Sequence, residues 1–85
     1  MMKPTIHSNG TSRQELLDQV CNAGHAIQDA MTALAKATPN GRDYYVQDPG
    51  AIKIALEEHN SQATRLQSVL DELQELAIHI SDTEE

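Results

Sequence analysis

The chain has no Phe and no Trp, and only two Tyr, one Cys, three Pro and four Gly in 85 residues. Without large aromatics, any core must be built from Leu, Ile, Val, Met and Ala, which requires backbones to approach closely. A single cysteine, Cys21, excludes an internal disulfide and fits a reducing cytoplasm. No apolar run approaches the 18 or more residues that a membrane span needs. Residues 1–11 carry no apolar h-region, so no signal peptide is expected. Basic residues are scarce where it matters. The net charge is −7, and from Asp71 onward there are six acids and no Lys or Arg. That balance argues against neutralising nucleic-acid phosphates and makes a basic partner more plausible, although acidic surfaces are usually just solubilising.

What the chain does have is a ladder: Ile52, Leu56, His59, Ala63, Leu66, Leu70, Leu73, Ala77 and Ile80. The steps alternate 4, 3, 4, 3, and only His59 is polar. A strand alternates every second residue, so this is the seam of a helix packed lengthwise on other helices. A second ladder, Leu16, Val20, Ala23, Ile27, Ala30, Leu34 and Ala37, repeats the spacing earlier in the chain. Each seam has a flanking row: Leu17, Gly24 and Met31 on the first, and Ala55, Gln62, Val69 and Leu76 on the second.

Boundaries follow from capping chemistry. Ser12 to Glu15 fits a capping box that opens helix 1 at about residue 12. Pro39 disfavours helix at Thr38, and Asn40-Gly41 is a turn signal. Helix 2 is expected from Asp48-Pro49, an N-cap acid followed by proline at the first helical position, to about residue 81. The predicted organisation is a disordered arm (1–11), helix 1 (12–38), a linker (39–47), helix 2 (48–81) and an acidic tail (82–85).

This is an all-α chain expected to form an antiparallel two-helix hairpin. Folding near Asp43 would pair Leu34 with Ile52, Ala30 with Leu56, Ile27 with His59, Val20 with Leu66, and Leu16 with Leu70. Both apolar stripes are wider than one neighbour requires, and so small a hairpin struggles against its ordering entropy. The expectation is therefore a homodimer forming a four-helix bundle, with Leu16, Val20, Ile27, Leu34, Ile52, Leu56, His59, Leu66, Leu70, Leu73 and Ile80 in the seams.

The search for chemistry returns little. There is no Glu-x-x-His pair, no Gly-rich phosphate loop and no Ser/His/Asp arrangement, so the sequence suggests no enzyme, cofactor or metal. His59 reads as a seam imidazole bonded to a neighbour, and Cys21 as a small, partly buried residue. Two regions suit partner binding. One is the linker, where Arg42, Tyr44 and Tyr45 are hot-spot residue types; the ordinary alternative is that the tyrosines cover the end of the hairpin. The other is the acidic end with Asp71, Glu72 and Glu75, which is either a solvated face or a nucleic-acid-like mimic for a basic groove.

The stretch Asn40-Gly41-Arg42-Asp43-Tyr44-Tyr45-Val46-Gln47, followed by Pro49-Gly50 and the helix Ala55-Leu56-Glu57-Glu58-His59, resembles short bacteriophage and prophage proteins with an Arg-Asp-Tyr-Tyr element before a long helix. The resemblance spans about residues 13–80. It implies a phage or prophage accessory protein in a bacterial cytoplasm and carries over no catalytic or ligand residue. The function expected is a non-enzymatic protein-interaction module, with an acidic mimic or a structural assembly subunit as alternatives.

Overall fold

A computed structural model describes residues 1–83. Two helices, α1 (Arg13–Lys36) and α2 (Ala51–Asp82), pack antiparallel along their lengths and are joined through a short 3-10 turn at Gly41–Asp43. The result is a rod of 61 × 19 × 17 Å. There is no strand among the described residues, and no helix is long and apolar enough to cross a membrane.

α1 starts as its sequence dictates. The Ser12 hydroxyl accepts the Glu15 backbone N–H at 3.2 Å, satisfying one of the free amides of the first turn. α2 starts later than expected. Gly50, not Asp48, is the N-cap, with helical torsions and no side-chain cap. Asp48 instead accepts the Ala51 N–H through its backbone carbonyl at 2.9 Å, so Asp48-Pro49 belongs to a turn. The linker is accordingly longer than 39–47. Asn40 Oδ1 accepts the Arg42 N–H at 3.0 Å, opening the 3-10 turn, and Gln47 N–H bonds Tyr44 O at 3.0 Å.

The register also differs from the expected one. A Cβ on Gly24 would lie 3.8 Å from Leu70 Cδ1, Arg13 donates to Ser81 O at 3.3 Å, and Thr38 Oγ1 lies 3.2 Å from His59 Nε2. Facing residue numbers thus sum to 94–97 rather than to about 86, a slip of two to three helical turns. Leu34 shares a recess with His59 and Gln62, not with Ile52, and the other four expected pairs shift likewise. Ile52 and Leu56 consequently lie beyond the last turn of α1, at the level of the linker.

The α2 seam stands as read. Leu70 is 6% exposed, Ile80 is fully buried, and the other seven rungs from Ile52 to Ala77 are all half-buried. The α1 seam needs correction. Leu16, Val20, Ile27 and Leu34 are half-buried, but Ala23, Ala30 and Ala37 are exposed, while the flanking Leu17, Gly24 and Met31 are half-buried. The face of α1 that meets α2 therefore follows Leu17, Val20, Gly24, Ile27, Met31 and Leu34, a row rotated away from the alanines.

The N-terminal arm is also corrected. It forms no helix or strand, yet it doubles back on α2. Gly10 N–H closes a turn on His7 O at 3.1 Å, Lys3 Nζ reaches Glu75 at 2.8 Å, and His79 Nε2 lies 3.1 Å from Pro4 O. Pro4 and Ile6 are half-buried. Ile80 falls between the residues facing α1 and those facing the arm, which explains why it is the most enclosed side chain. Of the tail, Asp82 ends α2 and Thr83 caps it; Glu84 and Glu85 lie outside the described residues.

Candidate functional site

The linker places its two tyrosines in opposite environments. Tyr44 is half-buried and shares a recess with Leu34, Ala37, Pro39, Ala55 and His59. Its ring closes the end of the hairpin. Tyr45 is 80% exposed and Val46 beside it 76% exposed, held outward at the tip of the rod. Arg42 and Asp43 are exposed on the adjoining 3-10 turn. Of the three linker residues singled out by sequence, Arg42 and Tyr45 thus point to solvent and Tyr44 is structural. Val46 was missed. A lone valine in a polar loop carries no distinguishing sequence signal.

At the opposite end of the rod, Asp71, Glu72 and Glu75 are exposed on α2. Two of them are already engaged. Glu75 accepts from Lys3 Nζ at 2.8 Å, and Asp71 Oδ1 accepts from Gln67 Nε2 at 2.9 Å. The Lys3 hydrogen bond and its positive charge hold the Glu75 carboxyl below the ordinary carboxylate range, because they favour the ionised form. Both side chains are solvated, so the pair is a weak clasp.

His59 sits on the α2 seam facing Thr38. The Thr38 hydroxyl donates its only proton to Ala35 O at 2.6 Å, so it must accept from His59 Nε2–H. That bond occupies the ring nitrogen nearest the end of α1.

A shallow groove of about 140 Å³ runs along one side of the hairpin between Val20, Cys21 and Gly24 of α1 and Leu70, Gln74 and Ala77 of α2. Cys21 is half-buried at its edge. The groove contains no carboxylate and one imidazole, His25. Among the described residues, no three His, Cys, Asp or Glu side chains gather closely enough to hold a metal ion, and no buried side-chain polar atom lacks a partner. No family model, curated protein or solved structure matches this chain.

Proposed function

We propose that this chain is a non-enzymatic protein-interaction module, a dimeric helical bundle that presents its partner with the tip formed by Arg42, Tyr45 and Val46. The observation that carries this reading is the outward placement of Tyr45 and Val46. Two large apolar side chains are exposed side by side at one end of the rod, beside a guanidinium. Tyr and Arg are the types that dominate binding hot spots. The acidic end is the weaker candidate, because Glu75 and Asp71 already hold partners within the chain. The Arg-Asp-Tyr-Tyr element supports an accessory role for a phage or prophage, acting on a protein of the bacterial cytoplasm.

The test is co-purification from bacterial lysate. Tyr45→Ala with Val46→Ser should release a bound protein while leaving the melting temperature unchanged. If the captured protein survives that double change but is lost with Glu72→Gln and Asp71→Asn, or at high salt, the acidic end is the binding surface and the tip reading fails.

A further inference from the structure

Among the described residues only Leu70 and Ile80 are buried, and the chain exposes 6293 Å². A compact monomer of 9.3 kDa exposes roughly 5,000 Å². The excess of roughly 1,300 Å² exceeds the roughly 800 Å² that each partner contributes to a standard stable interface. Part of the excess is an apolar strip along one side. Of the exposed alanines, Ala23, Ala26, Ala30, Ala33 and the C-cap Ala37 fall at 3–4 spacing beside the seam that meets α2, with only Ala35 off that row. On α2, the row Ala55, Gln62, Val69 and Leu76 flanks its own seam, and Val69 is 42% exposed. The two rows share one side of the hairpin, because Ala37, Ala55 and Gln62 line the same recess. The Cys21 groove is on the other side.

We infer that this alanine-lined side docks on the same side of a second copy, through a two-fold axis perpendicular to the helices at the level of Ala30, so that the two tips point in opposite directions. The inference rests on the bundle reading above and adds its face and polarity. Two features choose that axis. The first is centring. Inverting the α1 row about Ala30 brings Ala23 opposite Ala37 of the second copy, and inverting the α2 row about the point between residues 65 and 66 brings Ala55 opposite Leu76 and Gln62 opposite Val69. In the observed register, residues 64–67 of α2 face Ala30, so one axis centres both rows. Alanine against alanine lets helix axes approach to about 8 Å.

The second feature is charge. Asp71, Glu72, Glu75 and Asp82 of α2 crowd the end away from the tip with no Lys or Arg among them, whereas near the tip Lys36, Arg42 and Lys53 stand among Asp43, Asp48, Glu57 and Glu58. An axis along the rod would set the two acidic ends side by side. The perpendicular axis sets each acidic end beside the mixed-charge end of the other copy, which repels it less.

The experiment combines mass with position-specific crosslinking in the intact chain carrying Cys21→Ser. Light scattering at about 100 μM should give twice 9.3 kDa, and the melting temperature should rise with concentration. Ala30→Cys should then crosslink to itself under a thiol oxidant such as diamide, while Tyr45→Cys should not. Ala30→Arg should halve the mass or abolish the helical signal. A dimer that crosslinks through Tyr45→Cys and not Ala30→Cys overturns this face and polarity but leaves the bundle reading in place. A dimer that crosslinks at neither position also overturns them. A monomer with a concentration-independent melting temperature overturns both, whatever the tip binds.

Discussion

Thr38 and His59 tie the end of α1 to α2 through a hydrogen bond whose direction is determined, since the threonine proton is spent on Ala35 O. His59 is thus a seam residue bonded to a neighbour by Nε2–H. Nitrogen chemical shifts should show a proton on Nε2. The bond lies at an exposed site, where its net worth is about 0.5–1 kcal/mol, and a Leu half-buried like the His59 it replaces contributes about half of the roughly 1.5–3 kcal/mol of full burial. His59→Leu should therefore raise the melting temperature. A fall would mean that the imidazole does more than fill its rung.

Gly24 faces Leu70 across the helix pair with room for a methyl group, since an added Cβ would meet Leu70 Cδ1 at an ordinary 3.8 Å. Glycine inside a helix costs about 0.8–1 kcal/mol relative to alanine. Gly24→Ala should stabilise the fold by about that amount, or roughly 4–8 °C in melting temperature for a domain of this size. Thermal unfolding by circular dichroism reads it directly.

Leu70→Ala acts in the opposite sense. It removes one of the two side chains buried among the described residues, and such truncations cost about 2–5 kcal/mol. For so thin a core, that should leave the chain largely unfolded at 37 °C, visible as loss of helical ellipticity. Val69→Ala on the neighbouring rung, where the side chain is exposed, should cost far less to the folding of a single hairpin and should mainly weaken dimerisation.

The Lys3–Glu75 clasp predicts a small acid dependence. Glu75 has a lowered folded-state pKa, so its contribution is present above its unfolded value and disappears as pH falls through the lower, folded one. Lys3→Met should move the Glu75 carboxyl titration upward in an NMR experiment and release the arm. In about 1 M salt, where screening acts over about 3 Å, wild type and variant should titrate much more alike.

Tyr44 and Tyr45 are adjacent in sequence and opposite in exposure, so their alanine variants should separate. Tyr44→Ala should lower the melting temperature by opening the recess over Leu34 and Ala55. Tyr45→Ala should leave it unmoved.

The hairpin and the α2 seam were legible because a 4, 3 alternation of Leu and Ile sustained from Ile52 to Ile80 admits one secondary structure and one buried face. The α1 face was harder. Alanine is apolar enough to count as a rung yet small enough to remain exposed, so Ala23, Ala30 and Ala37 made a row that the partner helix does not cover. Register was lost for a different reason. The turn signals at Asn40-Gly41 and Asp48-Pro49 mark both ends of the linker but not its path: the reversal is centred near residues 47–48 rather than at Asp43, so the linker runs beside the first turns of α2 and every facing pair shifts. Docking of the arm was invisible to pattern reading because it rests on one lysine, one carbonyl and one imidazole, Lys3, Pro4 O and His79, with no periodicity. At the tip, both tyrosines were noticed, but only coordinates could say which of them turns inward.

The even 4, 3 cadence of both helices makes the molecule a ruler. The span from the tip to the end of α2 at Asp82 is therefore counted in seven-residue steps. Excising seven residues from each helix at the same level, clear of His59 and Gly24, would shorten the rod by about 10 Å while keeping every remaining side chain in phase with its neighbours.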